Sequence, residues 1–309
     1  MMFRQENLIR QQVLPMLGSR LRQALESVQE QLELVEEIRL RPGRALLVQG
    51  GGKELWLPIV VIAEDLVETM NILSQYSYYA FAEQLARGYI TVAGGHRVGV
   101  AGRVTAQGDR VSAMVDAGSI NIRIARQLKG IGKPVLPWLF SRGQLLNTLI
   151  LAPPGGGKTT LLRDLIRLIS DEAGLTVGVA DERSELAGCY RGIPQLDVGR
   201  RTDVLEGCPR DQGLEMLVRS MGPQVVAADE IGRRADVGAL ENILAAGVAV
   251  LTTAHARDLA EAKERPVLRG LLAEGYFQRA VILGRREGKP SLEGVAEFPD
   301  GKMLYGGEM

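Results

Sequence analysis

The sequence predicts an α/β chain in two parts. The C-terminal half reads as a largely parallel sheet with helices on both faces, preceded by a smaller α+β domain. Three observations predict this. Strand-like and helix-like runs alternate after residue 147, a strand passes through a glycine loop straight into a helix at residues 148–169, and the first 143 residues show hairpin signatures and short helices instead. At 309 residues and 46% hydrophobic content, the chain can bury two cores.

In the first part, leucines and valines from residue 8 to 34 recur at three- and four-residue spacing around Pro15 and Gly18, which predicts two short amphipathic helices. Residues 37–49 then alternate around the turn Arg41-Pro42-Gly43, a hairpin, and residues 53–57 supply a third strand of the same sheet. Residues 64–86 read as helices. From Tyr89 through Arg126 the glycine-rich alternation predicts small strands, with Ile120, Ile122 and Ile124 on one face and Arg123 on the other. Gly130, Gly132, Pro134 and Pro137 mark the expected break, giving domains 1–143 and 144–309.

The second part carries the chemistry. Leu149-Ile150-Leu151 leads into Ala152-Pro153-Pro154-Gly155-Gly156-Gly157-Lys158-Thr159-Thr160 and then a helical pattern. Strand, glycine loop and helix start make a phosphate cradle, because unhindered backbone N–H groups can converge on phosphate oxygens. Residues Pro154 to Thr160 are therefore the nucleotide-binding set, with Lys158 directed at the β- and γ-phosphates of ATP and Thr159 at Mg²⁺. Ala152 stands where such loops usually have their first glycine.

The apolar run Val225-Val226-Ala227-Ala228 ends in Asp229-Glu230, so carboxylates emerge at a strand end, where open α/β sheets bind ligands. Asp229 is the expected partner of a Mg²⁺-bound water and Glu230 the group that polarises the attacking water. A second acidic pair, Asp181-Glu182, follows the strand ending at Ala180, with a catalytic role for Glu182 weighed against an ion-pair cluster with Arg183. His255 follows the strand at 248–253 and is placed to sense the γ-phosphate, whereas His96, in Gly94-Gly95-His96, has no such context. Together these features specify a P-loop NTPase domain of the RecA-like, additional-strand kind.

Other classes are excluded by composition. Lys plus Arg equals Asp plus Glu, 37 against 37, and aromatics are 5%, which leaves neither the field nor the stacking surface for an ATP-dependent single-stranded nucleic-acid-binding protein, the alternative reading. A nucleotide-gated scaffold is opposed by the intact carboxylates, and a small-molecule kinase by the lack of a lid-like arginine cluster. Cys189 and Cys208 have no second pair to complete a metal site. Arg4, Glu6 and Arg10 interrupt any secretory signal, and no run of about 18 apolar residues occurs, so the expected place is the cytoplasm.

Arg219-Ser220-Met221-Gly222-Pro223-Gln224 running into Asp229-Glu230, with Asp181-Glu182-Arg183-Ser184-Glu185 and Thr252-Thr253-Ala254-His255-Ala256, resembles the boxes of secretion ATPases. Within that superfamily, Val198-Gly199-Arg200-Arg201-Thr202-Asp203, Glu37-Ile38-Arg39-Leu40-Arg41-Pro42-Gly43 and Gly94-Gly95-His96-Arg97-Val98-Gly99 resemble the AA family of stage III sporulation proteins. The resemblance implies an ATP-hydrolysing, Mg²⁺-dependent ring motor, usually a hexamer, on the mother-cell side of a sporulating cell. It also implies, as partners, the membrane-protein components of a secretion-like channel to the forespore. By the same resemblance Arg123 would touch nucleotide phosphate, and Arg200, Arg201, Arg219 or Arg233 could act across a subunit interface.

Overall fold

The structure is a computed structural model that describes residues 9–27, 35–108, 110–286 and 289–306. The chain divides into two compact units between Arg126 and Gln127. Residues 127–143, which the glycine and proline cluster assigns to the first domain, pack with the second unit: the Gly132 N–H donates to Asp164 Oδ2 at 2.8 Å, and Val135 and Leu139 are buried in that unit's core. The cluster marks a packed turn there, not a linker.

In the first unit, short helical turns at Ile9–Val13 and Leu14–Met16 and the helix Ser19–Glu26 match the two expected helices, while residues 28–34 of that expectation lie outside the described residues. Strands β1 (Val35–Leu40), β2 (Ala45–Gly50) and β3 (Lys53–Val60) form the expected hairpin and third strand. After helices at Ala63–Leu73 and Ala82–Ala86 come β4 (Tyr89–Val92), β5 (His96–Gln107) and β6 (Arg110–Arg123). The sheet order is β3-β2-β1-β6-β5-β4, antiparallel throughout. Its apolar face buries Ile38, Leu40, Val98, Ile120 and Ile122. Arg123 is 62% exposed, 3.6 Å from Glu37. Strands β5 and β6 are longer than expected because past Val100 and Ile120 they continue as a ribbon pairing only with each other.

His96 is fully buried in this unit. Its Nδ1 accepts the Ala125 N–H at 3.0 Å and its Nε2 lies 3.2 Å from Gln12 Oε1. Burial lowers its pKa to about 4. Gly94 (φ +83°) packs so closely that a Cβ there would sit 2.5 Å from Gln12 Oε1 and 2.7 Å from His96 Nε2, which explains glycine at that step.

The second unit opens with the small hairpin β7 (Phe140–Ser141) and β8 (Gln144–Leu145), then β9 (Thr148–Ala152), the helix Lys158–Asp171, β10 (Val177–Asp181) and β11 (Thr202–Glu206). The helix Arg210–Met221, β12 (Val225–Ala228), the helix Arg234–Ala245 and β13 (Ala249–His255) follow, then helices Leu259–Glu264 and Pro266–Ala273. Strands β14 (Arg279–Arg286), β15 (Lys289–Glu297) and β16 (Lys302–Tyr305) complete it.

The large sheet runs β11-β10-β12-β13-β9-β14-β15-β16, parallel as far as β14 and antiparallel beyond. Strand β13 lies between the loop strand β9 and the acidic strand β12, which is the additional-strand arrangement. One apolar layer holds Leu161, Leu162, Leu165, Ile166 and Ile169 of the helix Lys158–Asp171. The other holds Leu214, Leu217, Leu240 and Ile243 of the two following helices. Each such fully buried side chain stabilises by roughly 1.5–3 kcal/mol. Cys189 and Cys208 are free thiols, and burial pushes Cys189 up to about 12. Among the described residues no helix is long and apolar enough to cross a membrane.

Candidate nucleotide site at the strand ends

Strand β9 is buried to its last residue, Ala152, and the chain then turns through Gly155 (φ +67°) and Gly157 (φ +85°) before the helix begins at Lys158. Both glycines occupy the left-handed region, which side chains resist. Gly156 is required for a different reason. A Cβ on it would lie 2.8 Å from Ala152 Cβ and 2.9 Å from Pro153 O, so this glycine makes the room that lets alanine stand at the head of the loop. Alternating backbone conformations ahead of a helix start turn N–H groups toward one concavity, the geometry that suits a polyphosphate.

The side chains at the helix start face the tips of the neighbouring strands. Lys158 Nζ lies 3.0 Å from His255 Nδ1 and 3.5 Å from both Ala152 O and Pro153 O. Burial lowers its pKa, and the charges of Asp229 and Glu230 oppose that shift. Thr159 Oγ1 donates to Asp229 Oδ2 at 2.5 Å, and Thr253 Oγ1 donates to the other oxygen of the same carboxylate. The Glu230 N–H donates to Thr253 Oγ1 at 2.9 Å. Glu230 itself is in the left-handed region (φ +58°), a local strain of about 1–3 kcal/mol that the Thr253 contact helps to hold. Its Oε1 meets His255 Nε2 at 2.8 Å and its Oε2 accepts from Arg183 Nη1 at 3.3 Å. Lys158, His255 and Glu230 thus form a continuous polar chain.

The second acidic tip divides its two residues. Asp181 is buried and accepts the N–H groups of Glu185, Leu186 and Ala187 at 2.9, 3.1 and 2.8 Å, so it shapes the turn after β10. Glu182 reaches the site. Its Oε2 accepts Arg210 Nε at 3.2 Å and Nη2 at 3.1 Å, and its Oε1 accepts Arg233 Nη1 at 3.2 Å. Burial raises the Glu182 pKa, but Arg210 and Arg233 outweigh it and hold the carboxyl below its usual range. A cavity of about 20 Å³ between the two tips is lined by Glu182, Arg183, Arg210, Asp229 and Glu230, among others, and is large enough for about one water.

Lys158, Thr159, Asp229, Glu230 and His255 are therefore brought together, and Glu182 lines the cavity with Asp229 and Glu230. Pro154 is exposed on the loop, and Thr160 lies one residue further into the helix, half-buried. Arg123 belongs to the first unit. Arg200 pairs with Asp171 and Arg219 with Glu215, each at 3.5 Å. Three further residues belong to the site. Thr253 lies inside the Thr252-to-Ala256 box, a hydroxyl two positions before His255 on the same strand face. Arg210 follows Cys208-Pro209 with no periodic signal. Arg285, near the end of β14, places a guanidinium nitrogen 3.3 Å from where a Cβ on Gly155 would be, and its cross-strand partner Pro290 abuts Gly157.

The profile of the family "Sporulation stage III, protein AA" matches residues 7–301. The chain belongs to this family. Stage III sporulation protein AA of Bacillus subtilis (strain 168) is 43% identical to this stage III AA chain over 298 residues, 95% of this chain and 96% of that protein. The Legionella pneumophila ATPase DotB shares its fold with a TM-score of 0.59 at 15% identity, over 91% of this chain and 81% of that one. The pilus retraction motor PilT, solved with bound ADP, gives a TM-score of 0.59 at 16% identity, over 92% and 83%. At these identities the likeness shows the fold alone, and that fold is the P-loop NTPase fold of the secretion ATPases.

Proposed function

We propose that this stage III AA protein is a Mg²⁺-dependent ATPase. In this reading it works as a ring-forming motor, a homo-hexamer that powers or assembles a secretion-like channel between mother cell and forespore. The observation that carries the ATPase reading is the convergence of Lys158, Thr159, Asp229, Glu230 and His255 within hydrogen-bond distances at the ends of β9, β12 and β13. Family membership supports the sporulation setting, and the resemblance to secretion ATPases supports the ring, the channel components as membrane-protein partners, and a place on the mother-cell side of the membrane.

The residues fit MgATP. Left-handed Gly155 and Gly157 and the tight Gly156 shape a phosphate cradle, and Thr159 with Asp229 is the hydroxyl and carboxylate pair that a P-loop offers to Mg²⁺. Mg²⁺ keeps most of its shell as water and phosphate oxygen, so two protein groups suffice. When bound, MgATP supplies a γ-phosphoryl group whose charge is partly neutralised by the metal.

The chain's own residues do the rest. Lys158 places a buried cation at the cradle, where low dielectric strengthens its pull on developing negative charge. Glu230 orients the attacking water and accepts its proton at Oε1 or Oε2. His255 holds Glu230 through Nε2 and faces Lys158 through Nδ1, so it registers a change at either end. Glu182, kept ionised by Arg210 and Arg233, is a further carboxylate on the water's cavity.

The test uses nucleotide binding by calorimetry beside phosphate release. Lys158→Ala is expected to abolish nucleotide binding. Glu230→Gln is expected to keep ATP while losing about 100-fold or more in turnover. Wild-type protein that takes up no adenine nucleotide would sink the reading, and normal turnover by Glu230→Gln would remove Glu230 from its role.

A further inference from the structure

Arg210 begins the helix Arg210–Met221 and is only 4% exposed. A guanidinium so buried is costly unless its N–H groups find acceptors. Here they find them on two strand tips, and a third element adds a nearby carboxylate. Nε and Nη2 donate to Glu182 Oε2, beyond the tip of β10, at 3.2 and 3.1 Å. Nη1 donates to the Asp229 carbonyl, beyond the tip of β12, at 2.8 Å. Asp236, in the first turn of the helix Arg234–Ala245, lies 3.8 Å from Nε.

The anchor at that third point is rigid, because Asp236 Oδ2 also accepts the N–H groups of Gly232 and Arg233 at 2.8 and 2.7 Å. The planar fork of an arginine fixes direction as well as distance, which a lysine cannot do. Arg210 therefore sets both the orientation of Glu182 and the spacing of the two strand tips. Those tips bound the one-water cavity lined by Glu182 and Glu230.

We infer that Arg210 is a positioning residue for water attack: it aims Glu182 at the water that Glu230 activates. The inference rests on the ATPase reading above and adds to it the group through which the two acidic strand tips act together. A merely structural arginine would lower stability and act independently of Glu182. A positioning arginine acts through Glu182.

A double-mutant cycle separates the two. Arg210→Gln, Arg210→Lys, Glu182→Gln and the double Glu182→Gln/Arg210→Gln are compared for kcat and KM of phosphate release, affinity for a fluorescent ADP analogue, and melting temperature. Arg210→Gln is expected to lose about 10- to 100-fold in kcat with KM and analogue affinity unchanged. Arg210→Lys is expected to recover part of that loss, and the double variant to be no slower than Glu182→Gln alone.

Multiplication of the two single effects in the double variant, or unaltered kcat in Arg210→Gln, overturns the inference. If Arg210→Gln does not fold, Arg210→Lys is carried through the same cycle with Glu182→Gln and judged by the same criterion. Wild-type protein that binds the analogue but releases no phosphate sinks the ATPase reading and this inference with it. Wild-type turnover with multiplicative effects sinks this inference alone.

Discussion

Gly156 shows how narrowly a single residue can be constrained. Its neighbours leave 2.8 Å to Ala152 Cβ and 2.9 Å to Pro153 O for any Cβ, and real Cβ atoms do not approach so closely. Gly156→Ala must therefore move the loop away from the helix start. We expect it to lose at least about tenfold in nucleotide affinity, some 1.4 kcal/mol, measured by calorimetry with ADP. Adding Ala152→Gly should restore part of the affinity, because it removes one of the two close contacts and leaves the Pro153 carbonyl. Unchanged affinity in Gly156→Ala would show that the loop's shape is not what holds the phosphates.

At the scale of elements, the legible strands are those whose composition follows from burial on both faces. The runs at 148–151, 176–180, 225–228 and 248–253 coincide closely with β9, β10, β12 and β13, since a central parallel strand must be apolar almost throughout. Strands exposed along part of their length are less constrained. β11 reads Thr-Asp-Val-Leu-Glu, and the β14–β15 hairpin mixes Arg285, Arg286, Ser291 and Glu293 into its exposed half, so neither has a pattern that burial enforces. The same logic governs the site. Lys158, Asp229, Glu230 and His255 were legible because each stands at the end of an apolar block. Arg210 was not, because its partners lie 28 and 19 residues away and only the fold brings them near.

His96 gives the first unit a pH dependence that its elements explain. The ring joins the turn at Ile9–Val13, through Gln12, to the residues just after β6, through Ala125, and Nδ1 can accept the Ala125 N–H only when unprotonated. Its pKa falls from 6.5 to about 4 on folding, so the unfolded chain binds the proton more tightly. The stability contributed is fully present above pH 6.5 and is lost as pH falls toward 4, by up to about 3 kcal/mol. Denaturant midpoints followed from pH 7 to 4 should drop in wild type and drop less in His96→Gln. Parallel curves for the two proteins would place the acid sensitivity elsewhere.

For the whole molecule, the proposed ring makes turnover a property of assembly. If an arginine from a neighbouring copy completes the site, phosphate release per chain should rise steeply with protein concentration, by as much as about 1,000-fold. Mass in solution, recorded by light scattering, should rise over the same range. Constant activity per chain while the mass changes would mean that one chain carries the complete site.

The position of β13 has a further consequence. Lys158 and Thr159 start from the end of β9, Asp229 and Glu230 from the end of β12, and two strand spacings of about 4.8 Å separate them. The strand in the gap acts as a caliper, with Thr253 and His255 on one face touching both jaws while Thr252 turns away to the Ala228 carbonyl at 2.7 Å. A slip of one residue that presented Ala254 and Ala256 instead would leave the carboxylates without their hydroxyl and the lysine without its imidazole. The working gauge of this candidate site is thus the register of a single buried strand.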